Sequence, residues 1–140
     1  MRTLFAVLLA VFASSQALAG GAPNPKAPEP GTSVEMPYLI APIVVDQTLV
    51  GYAYVSCKII ASSTQTAIDI RLATPFIQDA FVRDANAAPF SQTTAPTAAA
   101  TEALTARLLA DAKRIVGANK AVNLTLTQVQ ISLFRPSSQS

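Results

Sequence analysis

Tyr38 to Ile60 reads YLIAPIVVDQTLVGYAYVSCKII. Two runs rich in β-branched and aromatic residues flank a short polar break at Asp46-Gln47-Thr48, the pattern of a β-hairpin. The second run alternates. Leu49, Gly51, Ala53, Val55, Cys57 and Ile59 fall on one side of a strand, and Val50, Tyr52, Tyr54, Ser56, Lys58 and Ile60 on the other. The first side is uniformly small to medium and apolar, so it needs a layer laid over it. Pro42 puts the first strand at an edge or beside a bulge, because proline donates nothing to a ladder. Gly51 marks a bend or the close approach of another backbone.

The cover comes from downstream. Ala67 to Leu72, AIDIRL, has a period of two, yet Ser62 and Ser63 precede it as helix caps. Ile70, Ile77 and Phe81 share one helical face, with Ile68, Leu72 and Phe76 along another. A helix from about 63 to 87 is expected, Thr74-Pro75 being either a new helix start or an interior proline. After an Ala-, Pro- and Thr-rich loop over 86–100, a second helix is expected over 101–116. It carries the stripe Leu104, Leu108, Ala112 and Ile115, with Glu102 in its first turn, Lys113 and Arg114 near its end, and Gly117 as the stop. That stripe is expected to bury against the hairpin. A last strand covers 122–134, its apolar phase slipping once at Thr127-Gln128, as a bulge would make it. The sum is an α+β domain, β-β-α-α-β, with two helices packed on one face of a small antiparallel sheet.

The N-terminus reads as an address. Arg2, the apolar run Leu4 to Ala13 and the A-x-A site Ala17-Leu18-Ala19 form a secretory signal peptide over residues 1–19, cut between Ala19 and Gly20. The apolar run is about half of the ~20 residues a membrane span needs, so no span is expected after cleavage. Residues 20–37 hold five prolines and read as a spacer, 38–134 as one domain, and 135–140 as a polar tail. Export makes the expected location periplasmic, with anchoring in the inner membrane as the alternative if the segment stays uncleaved. Hydrophobic residues are 51% of the chain, a share the leader inflates, and what remains suffices for one core.

Catalysis is not expected. Histidine is absent, which removes the commonest general base and metal ligand. No nucleophile elbow or phosphate-cradling glycine loop occurs. Asp69, Asp79 and Asp84 read as a salt-bridged helix face, with Asp79 four residues before Arg83. The single cysteine, Cys57, can form no internal disulfide and reads as a small buried hydrophobe. Removing the leader takes Arg2 and no acid, so the net charge falls from +2 to +1. Without a basic cluster, no nucleic-acid partner is expected, and no cofactor or metal. Two function classes fit: an interaction module of an envelope assembly, or a small-ligand or lipid-binding periplasmic protein with an apolar cavity between sheet and helices.

Pro37-Tyr38-Leu39 through Val45-Asp46, the helix stretch Thr74-Pro75-Phe76-Ile77-Gln78-Asp79-Ala80-Phe81-Val82, and Leu124-Thr125-Leu126-Thr127-Gln128-Val129-Gln130-Ile131 resemble the flagellar basal-body-associated FliL family. That family carries a Leu-Pro-x-Ile-Arg-Asp-Ala-like stretch and a closing Thr-x-Phe-Val-x-Gln-like strand. Pro75, Ile77, Asp79 and Ala80 match, Thr74 replaces the leucine, Gln78 replaces the basic residue, and Val129 stands where an aromatic or valine is common. The resemblance covers Pro37 to Ile131 through short, structural motifs. It implies a non-enzymatic periplasmic domain beside the flagellar stator or basal body, with a fold like the stomatin-type domain that assembles into rings, and so a homo-oligomer. The chain departs from the family in its cleavable signal, since FliL proteins keep a membrane-spanning anchor. A released domain reaches a motor, or another envelope assembly as an accessory subunit, only through protein contacts.

The mature chain is expected to begin at Gly20. Intact mass of the exported form checks this, and a membrane fraction retaining Met1 to Ala19 would contradict it.

Overall fold

The computed structural model describes residues 29–136. The signal segment with its Ala19/Gly20 junction, the first part of the spacer and the end of the polar tail lie outside those residues. The order is β1 (Ser33–Glu35), β2 (Leu39–Val45), β3 (Thr48–Ala61), α1 (Thr64–Ala87), α2 (Ala98–Val116) and β4 (Ala121–Leu133). All pairings are antiparallel, and β3 is the common partner: β1 and β2 share one of its edges and β4 takes the other. Both helices lie on one face, so the domain is α+β.

The hairpin turn is tighter than the polar break suggested. Val45 pairs with Thr48, so only Asp46 and Gln47 turn, with φ of 48° and 62°. Two successive positive φ values define a type I′ turn, whose twist matches that of the strands. Ile43 pairs with Gly51 but Val44 with Leu49, so Val50 is an extra residue in β3. The bulge explains why Leu49 is exposed while Gly51 to Ala61 keep their alternation. Pro42 turns its missing N–H to the outer edge of β2, where no β3 bond is lost. Phe90 crosses to that edge, donating to the Pro42 carbonyl at 3.0 Å and accepting from the Val44 N–H at 2.8 Å.

Folded structure starts earlier than the expected boundary after Pro37. Glu29-Pro30-Gly31-Thr32 is a turn closed by the Thr32 N–H on the Glu29 carbonyl (3.2 Å), with Gly31 at φ 82°, as a type II turn needs. The segment then enters β1, where Val34 faces inward opposite Ile59. The reason is the length of β3. A seven-residue β2 leaves its second half bare, and the end of the presumed spacer satisfies those backbone groups.

Helix α1 runs unbroken through Pro75. This settles the AIDIRL stretch as helix: the Ser63 cap and sheet burial of Ile70 override a short period of two. Ser63 Oγ accepts from the Thr66 N–H at 3.1 Å, and Thr66 Oγ1 accepts from the Ser63 N–H at 2.9 Å, a reciprocal cap. Pro75 costs one intrahelical bond to Arg71, on a side open to water. Helix α2 begins at Ala98, with Thr97 as its cap, so Glu102 lies beyond the first turn. Gly117, at φ 107°, ends it.

Ala67, Ile70, Ile77 and Phe81 of α1 bury against Leu39, Ala41, Ile43, Val55, Cys57 and Ile59 of the sheet. Helix α2 lies over β4 and along α1 instead of over the hairpin. Leu104, Leu108 and Ala112 are fully packed there, and Ile115 is half-buried. In β4 the expected bulge is present, because Ser56 pairs with Gln128 and Cys57 with Leu126, which leaves Thr127 extra. A second lies at Val122, between Asn123 opposite Ile60 and Ala121 opposite Ala61. It turns Val122 outward and puts Ala121 in the core. Gly51 meets β4 so closely that an added Cβ would lie 2.8 Å from the Leu133 Cα and closer still to the Ser132 carbonyl.

Leu108→Ala is expected to cost ~2–5 kcal/mol in chemical denaturation, as for other large-to-small changes at fully packed sites. A loss below about half a kcal/mol would mean that α2 does not pack on β4 through this residue.

Candidate functional site

The four aspartates of the helix layer are each paired with a cation. Asp69 accepts from Lys120 Nζ at 2.9 Å, which ties the start of α1 to the turn before β4. Asp79 pairs with Arg83 at 2.9 Å, and Asp84 accepts from Arg107 Nε at 3.0 Å across the helices. Asp111 pairs with Arg114 at 2.8 Å. The three α1 carboxylates thus each hold a different cation and do not converge. Among the described residues no group of three His, Cys, Asp or Glu side chains is placed to hold a metal.

Asp111 is the least comfortable of these groups. Its Oδ2 is buried and accepts no hydrogen bond from the protein. Burial raises its carboxyl above the usual carboxylate range, against the opposing pull of Arg114. It lines an open groove of about 570 Å³ on the outer side of the helices, whose apolar wall is Phe76, Ala80, Ala87 and Ile115. Its lining comes from α1 and α2 alone and includes no sheet residue, so this groove is a surface feature and not a cavity between sheet and helices.

Cys57 lies in the core. It is 1% exposed on the covered side of β3. Burial pushes its thiol from 9.0 up to about 11, with Glu35 adding to the rise, so it stays protonated at neutral pH. Tyr52 packs edge-on against Phe134, ring centres 5.7 Å apart, on the sheet face away from the helices. Tyr54 on the same face is partly exposed and pairs across to Gln130.

The four positions that carry the family resemblance have separate roles. Ile77 belongs to the core under α1, and Ala80 is buried beside α2. Pro75 and Asp79 are exposed on the other side of the helix. That outer side holds the most distinctive surface feature. At 100° per residue, Ile68, Leu72 and Phe76 lie opposite Ile70, Ile77 and Phe81. They are 47%, 74% and 69% exposed, an apolar ridge ~12 Å long at the helical rise, with Phe76 also forming one lip of the groove. The sequence shows both apolar faces of α1; only the packing decides which one meets water. Ridges of this kind mark contact surfaces more often than isolated exposed side chains do. No described helix is long and apolar enough to cross a membrane.

No protein-family model matches the sequence, and no curated protein is similar enough to count as a relative.

Thiol reagents are expected to label Cys57 only after unfolding. Its folded thiol titrates higher than the unfolded one, so its stabilising contribution is complete below pH ~9 and is lost as the pH rises through ~11. On that account the wild type should lose ~2–3 kcal/mol more than Cys57→Ala between those limits. Equal losses in paired denaturation curves would remove burial as the cause.

Proposed function

We propose that this chain is a non-enzymatic contact protein of the bacterial envelope, exported to the periplasm and similar in role to FliL proteins beside the flagellar stator or basal body. The observation that carries this reading is the exposed ridge Ile68–Leu72–Phe76, on a helix whose opposite face is already satisfied by the sheet. A stable domain gains nothing from keeping three large apolar side chains in water, whereas a partner surface does. The ion-paired acids and the protonated, covered thiol support contact without turnover. The filled layer between sheet and helices favours an interaction module over a ligand carrier. The flagellar part of the proposal rests on the Pro75-Ile77-Asp79-Ala80 pattern, which falls on this same helix.

Deleting the protein from a motile host is expected to weaken swimming or swarming while leaving filaments assembled. A photo-crosslinking residue on the outer face of α1 is expected to capture a stator or basal-body component in the intact envelope. Unchanged motility, with crosslinks only to a non-flagellar assembly, would end the flagellar assignment and leave the contact role standing.

A further inference from the structure

Both helices cover one face of the sheet, and on the other Tyr38, Ile40 and Tyr54 are 66%, 50% and 37% exposed. The register orders that open face. Ile40, Tyr54 and Gln130 form one row across three strands, and Pro42, Tyr52 and Ser132 form the next. On the other side of the first row, Ser56 pairs with Gln128, and Tyr38, one residue before the Val55 partner Leu39, lies beside Ser56. Ser56 is too short to fill the space between its larger neighbours. An open pocket of about 180 Å³ results, lined by Tyr38, Tyr54, Gln128 and Gln130. All four are exposed, and Gln128 and Gln130 project ~7 Å apart from the same side of β4. These three rows contain no charge; Glu35 and Lys58 form the row beyond.

The lining favours one class of ligand over others through what each would leave unpaired. Two phenol hydroxyls and two primary amides both donate and accept, with no net charge. An acyl chain laid there would strip water from these groups and return no hydrogen bond. An ion would meet no counter-charge. A peptide is recognised through its main chain at a sheet edge, whereas the backbone groups under this face are already paired in the ladders. A sugar ring fits: it is uncharged, its C–H face lies against a tyrosine ring, and its hydroxyls both donate and accept. We propose that this open sheet face binds a neutral carbohydrate chain, one sugar ring seated against Tyr38 and Tyr54 with its hydroxyls held by the amides of Gln128 and Gln130. The uncharged surface runs on to Tyr52 and Phe134, so a chain finds more contact than a single ring. An open site that covers one side of the ligand binds weakly, with a Kd on the order of 1 mM. It lies across the sheet from the Ile68–Leu72–Phe76 ridge, and neither surface depends on the other.

The test is an amide-resolved NMR titration of the exported protein with chitotetraose and cellotetraose, two uncharged chains that differ in their acetamido groups. Saturable shifts centred on Tyr38, Tyr54, Gln128 and Gln130 are expected. Shifts with chitotetraose alone would assign the site to acetylated glycans of the cell-wall kind, and shifts with both to neutral glycans in general. Tyr54→Ala and Gln130→Ala should each weaken binding at least fivefold, and Tyr54→Phe, which keeps the ring, should weaken it less than Tyr54→Ala. Gln130 is exposed, so its variant reports even if loss of the Tyr54 ring disturbs the sheet; unchanged unfolding midpoints identify the variants that fold. No shift with either chain up to ~20 mM, shifts centred on the helices, or an affinity indifferent to both alanine variants would overturn the proposal. So would tighter binding of an uncharged peptide at the same four residues. A ridge that crosslinks to nothing would end the contact role and leave this site standing.

Discussion

Everything in this domain depends on hydrogen-bonding a single long strand along both of its edges. β3 has 14 residues, and each of its backbone groups must find a partner once a helix layer excludes water from one side. The hairpin alone cannot supply them. One edge is completed by β1 and β2, which act as a single strand interrupted at Met36 to Tyr38. Across that gap the Met36 N–H still reaches the Cys57 carbonyl at 3.0 Å. The other edge takes the whole of β4, and there Gly51 lets two backbones approach more closely than any side chain would allow.

The helix layer follows from that sheet. β3 presents Ala53, Val55, Cys57 and Ile59, residues too short to reach far above the pleat. The large side chains must therefore come from above, as Phe81, Ile70, Ile77 and Leu108 do. The two helices are joined across their outer rims by Asp84–Arg107, and the start of α1 is held to the approach of β4 by Asp69–Lys120. These partly exposed pairs add little stability each. Their effect is to fix the register of α1 against its neighbours, and with it the direction in which the ridge points.

The sequence made the alternation of β3, the caps of α1, the stripe of α2 and the slip in β4 legible, because each depends on residues close together in the chain. It hid whatever depends on residues far apart. β1 is three residues inside a proline-rich stretch, and nothing local distinguishes it; the unpaired half of β3 creates it. Val122 belonged to the apolar series by spacing, but a second bulge turned it to water. The stripe of α2 was plain, yet its resting place over β4 depended on which edge of β3 the last strand would take. Phe90 gave no sign that it closes the edge of β2. For the ridge, α1 showed two apolar faces of similar strength, and burial of Ile70, Ile77 and Phe81 alone decides which face is free.

The outer edge of β4 carries two irregularities that work against the addition of a further strand. From Ala121 to Phe134 the strand contains no charge, proline or glycine, the composition of a segment that readily templates amyloid-like stacking. Its safeguard is its shape. The two extra residues, Val122 and Thr127, break the even backbone spacing that an incoming strand would have to match, so that the longest regular run is Gln128 to Leu133 instead of the whole strand. A charged gatekeeper can be neutralised by acid or masked by salt. A backbone irregularity keeps its effect in both.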